Sequence, residues 1–135
     1  MNPSTRREIV LTGYSVVSPI GIGREAYWDS MTRQQSGLGP ITQFDAGAYP
    51  ANIAGEIDDF DPKQYVRPRK SLKVMCRDIQ ICFAAADLAL SHSGLDTFDK
   101  DPDRFGVVFG ADMMYSPVEE VVDAYKSCVV DGEFQ

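Results

Sequence analysis

Four residues have side chains suited to nucleophilic or acid–base chemistry: the thiols Cys76, Cys82 and Cys128, and the lone histidine His92. A thiol attacks only as its thiolate, which requires a base, a cation or a helix N-terminus beside it. Cys76 and Cys82 instead fall among Leu72, Met75, Ile79, Phe83, Ala86 and Leu90, three or four residues apart on one apolar face. There cysteine packs as a small hydrophobe. Cys128 has no histidine near it in sequence. His92 stands where a helix should end, the place of a surface or dipole-stabilising imidazole. Three thiols without a C-x-x-C pair make no disulfide framework, and with one histidine they do not complete a zinc site. Gly21 and Gly23 lack the third glycine of a dinucleotide loop, and Asp58-Asp59 reads as a turn. No phosphate-cradling loop and no G-x-S-x-G elbow occurs. No residue is therefore assigned a catalytic role, and neither a metal nor a cofactor is expected.

Charge is distributed more tellingly. The 135 residues carry 13 bases and 20 acids, net −7. An acidic balance of this kind argues against nucleic acid or an anionic membrane surface as partner. Yet residues 63–77 hold six bases and no acid: Lys63, Arg67, Arg69, Lys70, Lys73 and Arg77. If a helix runs through them, Lys70, Lys73 and Arg77 fall at i, i+3 and i+7 and share one exposed stripe. Two readings stand, a merely solvated face or a docking patch for an acidic partner.

The elements that must position this stripe follow from periodicity. Ile9–Tyr14 reads as a buried strand ended by Gly13, and residues 15–23 as loop. A helix is expected over Arg24–Arg33, stopped by the Gly and Pro of residues 36–40. Ala51–Ile57 reads as a short exposed strand, and the strongest helix runs from Pro68 or Ser71 to His92, with Ser93-Gly94 as its stop. A polar loop, 96–103, leads to a second buried strand, Phe105–Gly110. Ser116-Pro117 then opens a helix whose stripe is Val118, Val121, Val122 and Tyr125, and residues 131–135 read as loop. Apolar strands separated by helices predict an α/β layer in one unit, 1–135, without an internal boundary. With two or three core strands and no closing element, the pattern reads as the opening of something larger. No run of about 18 apolar residues is present to span a bilayer, and the first residues do not form a signal peptide. A cytoplasmic protein is the expectation.

Four ordered stretches carry a resemblance: Val10-Leu11-Thr12-Gly13-Tyr14-Ser15-Val16-Val17-Ser18-Pro19-Ile20-Gly21; Ser36-Gly37-Leu38-Gly39-Pro40-Ile41 with Phe44-Asp45; Ala54-Gly55-Glu56-Ile57 with Phe60-Asp61-Pro62; and Phe105-Gly106-Val107-Val108-Phe109-Gly110. Together they resemble the N-terminal segment of β-ketoacyl-acyl-carrier-protein synthases, condensing enzymes of fatty-acid biosynthesis, most closely the elongating synthase II type. The resemblance implies the N-terminal part of a thiolase-like layered α/β fold, a mixed sheet with covering helices, of which this is about the first third. It also implies that the catalytic cysteine, two histidines and a lysine lie beyond residue 135, so that the chain by itself is inactive. Acyl carrier protein, acyl and malonyl thioesters and a second copy in a homodimer become the implied partners. Arg69, Lys70 and Lys73 match basic positions that contact the carrier protein, and Met113 matches an apolar position of the acyl pocket. Two other readings remain: a non-catalytic partner resembling a chain-length factor, and a small binding module that folds alone and uses the basic stripe.

Overall fold

The computed structural model describes residues 8–95, 101–111 and 118–135. In chain order the elements are β1 (Val17–Ser18), β2 (Gly21–Ile22), α1 (Arg24–Thr32), β3 (Leu38–Pro40), β4 (Ile53–Gly55), α2 (Arg77–Ser93), α3 (Val118–Ser127), β5 (Val129–Val130) and β6 (Glu133–Phe134). Three short 3₁₀ turns, Pro62–Gln64, Arg69–Val74 and Pro102–Arg104, lie between them. The strands form three separate antiparallel pairs, β1–β2, β3–β4 and β5–β6. Helices and strands are thus mixed as expected, but among the described residues no sheet exceeds two strands.

Several boundaries differ from the sequence reading, each for a local reason. The loop expected over 15–23 is hairpin β1–β2, with Ser18 opposite Gly21 and Val17 opposite Ile22. The stop at 36–40 continues as β3, whose Pro40 pairs with Ile53 of β4, and that strand lies within the one expected over 51–57. Glu56 locks this hairpin past its last pair. Its carboxylate accepts the Thr42 hydroxyl at 2.7 Å, the Thr42 amide at 3.0 Å and the Gln43 amide at 3.0 Å. The loop expected over 131–135 is the second arm of hairpin β5–β6. Its two turn residues, Asp131 and Gly132, have φ of 53° and 85°. Positive φ at both positions is the Asp-Gly turn whose twist matches paired strands.

Helix α1 lies within its expected span, and α2 ends at Ser93 with Gly94 left-handed at φ 65°. The start of α2 is a correction: it begins at Arg77, neither at Pro68 nor at Ser71. Met75 (φ −100°, ψ 120°) and Cys76 (φ −66°, ψ 166°) are extended and interrupt the helical path. The Gln80 side-chain amide donates to the Met75 carbonyl at 2.8 Å and takes the acceptor that a continuous helix would have offered to a backbone amide.

The two apolar runs read as buried strands, 9–14 and 105–110, form no strand among the described residues. Ile9 is 97% exposed and Val108 96%. An apolar run becomes a buried strand only where neighbours pair its edges and cover its faces, and periodicity names the run without naming those neighbours. Both runs nevertheless lie on α2. A Cβ at Gly13 would stand 2.4 Å from the Ala89 carbonyl oxygen, so the backbone there approaches the last turns of α2 as only glycine allows. Phe109, Gly110 and Ala111 share an apolar cleft of about 240 Å³ with Ile79, Cys82 and Phe83 near its start.

Among the described residues the buried apolar side chains are Ala46, Phe60, Val66 and Ala84. Of the α3 stripe, Val121 and Val122 are half-buried, while Tyr125 is exposed and its ring lies 6.2 Å from that of Phe134. The accessible surface is 11620 Å². A folded monomer of 14.9 kDa should expose only about 7,000 Å². This open surface is apolar where these two runs pass.

The hydrogen bonds from Thr42 and Gln43 hold the Glu56 carboxyl below its ordinary value of 4.5. A depressed carboxyl contributes stability above its unfolded value and loses it as pH falls through the folded one. Urea melts of Glu56→Gln should therefore show a lower midpoint at pH 7, and the difference from the unaltered chain should shrink as pH falls below about 4.5. A difference that stays constant down to low pH would show that the clasp does not depend on the carboxylate charge.

Candidate functional site

The basic run begins on an aromatic platform. Asp61 caps the turn Pro62–Gln64 by accepting the Lys63 amide at 3.0 Å, and Pro62 occupies the first helical position. This turn brings Tyr65 back over Phe60, the rings stacked 5.9 Å apart at 8°. Phe60 is 8% exposed and Val66 only 1%, so the platform is among the best-buried parts of the chain.

From it rises the 3₁₀ turn Arg69–Val74. At three residues per turn, side chains three apart eclipse one another, separated by about 6 Å along the axis. Lys70 and Lys73 therefore share a face, and Arg69 stands one residue earlier. All three are exposed, and none forms an ion pair with a described residue. The stripe proposed from α-helical spacing thus survives for Lys70 and Lys73 through a different geometry. Arg77 is exposed like them but engaged: after the break at Met75–Cys76 its Nη2 donates to the Ile57 carbonyl at 2.6 Å and its Cζ lies 5.7 Å from the Phe60 ring centre. Arg67 is engaged as well, donating to the carbonyls of Lys63 and Val66. Of the six bases, Arg69, Lys70 and Lys73 are the ones that present their charge outward as a group.

His92 is a structural clasp. Arg24 Nη1 is hydrogen-bonded to its Nε2. Nδ1 lies 3.1 Å from both the amide nitrogen and the carbonyl oxygen of Tyr14, and the two rings meet edge-on at 5.0 Å. The N-terminal segment is thereby tied to α2 and to the start of α1. Arg24 also pairs with Glu25 and, chiefly through that hydrogen bond, holds the Glu25 carboxyl below its ordinary value. Cys76, Cys82 and Cys128 are half-buried free thiols. Among the described residues no cluster of three or more metal-ligating groups occurs, and no helix is long and apolar enough to cross a membrane. Met113 lies outside the described residues. The Phe60–Tyr65 platform escaped the sequence reading, although the Asp61-Pro62 start beneath it was a usable signal.

Removal of the imidazole should release the Tyr14 segment alone. In His92→Ala, amide exchange around Tyr14 should accelerate about five- to tenfold, the equivalent of one lost hydrogen bond, with helicity unchanged. Unaltered exchange would mean that packing at Gly13, not the imidazole, retains the segment.

Comparison with known proteins matches residues 6–131 to the family model described as beta-ketoacyl synthase, N-terminal domain. A granaticin polyketide putative beta-ketoacyl synthase 2 of Streptomyces violaceoruber is 38% identical over 105 residues, 73% of this chain and 25% of that protein. A 3-oxoacyl-[acyl-carrier-protein] synthase 2 of Coxiella burnetii is 36% identical over 120 residues, 88% of this chain and 29% of that protein. Among solved structures, the ishigamide ketosynthase/chain length factor superposes with a TM-score of 0.59 at 38% identity, over 67% of this chain and 22% of that one. The chain spans between a quarter and a third of the length of these first two relatives, near the share expected from sequence.

Proposed function

The chain belongs to the beta-ketoacyl synthase family through its N-terminal domain, and on that premise we propose that it is the opening part of a 3-oxoacyl-acyl-carrier-protein synthase of fatty-acid biosynthesis. Its part is to dock acyl carrier protein through Arg69, Lys70 and Lys73 and to lend Met113 to the acyl pocket. Residues later in such a protein would supply the chemistry in the cytoplasm, within a homodimer of thiolase-like layers. A cysteine thiolate takes the acyl group from carrier protein as a thioester. Malonyl-carrier protein loses carbon dioxide, and the resulting carbanion attacks that thioester, expelling the thiolate and leaving a β-ketoacyl carrier protein.

The observation that carries the docking claim is the exposed turn Arg69–Val74, with three outward cations on a chain of net −7. A cationic patch on an acidic protein attracts an acidic partner while the rest of the surface repels it, which sets orientation and speeds encounter at low salt. The surface excess speaks against a small binding module that folds alone.

A second reading, a non-catalytic partner that shapes the pocket, is favoured by one observation: a matched structure is titled a ketosynthase/chain length factor. Incubation of the full-length protein with an acyl-carrier-protein thioester separates the two. An acyl adduct on a cysteine supports the synthase. Absence of an adduct, together with altered product length when a ketosynthase is added, supports the partner.

For docking itself, the full chain carrying Lys70→Glu and Lys73→Glu should bind purified acyl carrier protein at least about tenfold more weakly at low salt, with its helicity intact. Equal affinity of the altered and unaltered chains at low salt would refute the docking surface.

A further inference from the structure

We infer that Arg77 is a positioning residue for the docking turn, an inference that rests on the docking reading above and assigns this cation a role different from that of its neighbours. The turn Arg69–Val74 is poorly held by its own backbone: the Ser71 amide reaches the Pro68 carbonyl at 3.0 Å, and at the far end the Met75 amide reaches that of Leu72 only at 3.5 Å. Hydrogen bonds of this i to i+3 kind have inferior geometry, so an exposed 3₁₀ turn needs anchoring from outside. Both ends of the excursion are pinned at the same place. On entry, Val66 is 1% exposed and its amide reaches the Pro62 carbonyl at 2.9 Å, within the segment that stacks Tyr65 on Phe60. On exit, Arg77 bonds the Ile57 carbonyl and lies over that same Phe60 ring. Residues 67–76 thus leave the platform and return to it, and Arg77 closes the return. The residue is exposed, but its guanidinium is engaged by a carbonyl and a ring face, and through them it sets where Lys70 and Lys73 stand.

Ionic strength separates this role from a docking one. A cation that meets an acidic partner contributes to the salt dependence of binding, whereas one that only places others does not. In titrations of the full chain against purified acyl carrier protein at several salt concentrations, Lys70→Met should weaken binding and flatten its salt dependence. Arg77→Ala should weaken binding about three- to tenfold while its salt dependence stays parallel to that of the unaltered chain. Arg77→Lys should resemble Arg77→Ala, because an ammonium lacks the planar fork that serves carbonyl and ring together. A flattened dependence in Arg77→Ala, full recovery in Arg77→Lys, or unchanged affinity in both would each overturn the inference while leaving the docking surface standing. An unaffected Lys70→Met would overturn the docking surface and this inference with it.

Discussion

Burial of the apolar side of α2 organises this chain. It is the longest helix, 17 residues, and Ala84 at its middle is fully buried. The Gly13 backbone closes on its last turns, the His92 clasp ties Tyr14 and Arg24 to that end, and Phe109–Ala111 lie against its start. The Phe60 platform meets it through Arg77. Elements distant in sequence are neighbours because each covers part of one helix surface, which is how a single amphipathic element imposes tertiary order on short, weakly stable pieces.

The same helix explains why an outward cationic turn can exist. Once α2 has its axis, the chain between the platform and Arg77 must leave one surface and return to it over residues 67–76. An α-helical continuation would have carried Arg77 round with the other bases. The extended break at Met75–Cys76 instead brings Arg77 onto the Ile57 carbonyl and the Phe60 ring and leaves a short 3₁₀ turn outside, on which eclipsed Lys70 and Lys73 face solvent together. Glu56 and Asp61 do comparable work elsewhere, their carboxylates taking the backbone amides that a bend has left without partners.

Much of the apolar surface of the chain remains uncovered. Ile9, Val10 and Leu11 in one run and Val107, Val108 and Phe109 in the other are exposed, and neither run forms a strand among the described residues. In a family whose members are several times longer, such runs are natural places for further chain to pair. The clustering of bases on one turn, by contrast, already faces outward and needs no additional covering to be available to a partner.

Short-range physics was legible in the sequence. The spans of α1 and β4 and the end of α2 at Ser93-Gly94 follow from apolar spacing, punctuation and capping, which depend on residues a few places apart. So does the exposure of Lys70 and Lys73, since six bases without an acid cannot all be buried. The Asp131-Gly132 turn was legible too, being a strong hairpin signal, and was passed over as loop. Other features required the tertiary structure. Arg77 left the stripe because Ile57 and Phe60, about twenty residues earlier, offered it a carbonyl and a ring. The runs 9–14 and 105–110 stayed unpaired because a strand is defined by its neighbours. Residue types and their spacing therefore determined which groups are charged, apolar or able to bend the chain. Contacts between residues far apart in sequence decided which charges remain free, because burial, ring stacking and hydrogen bonding depend on distance in space.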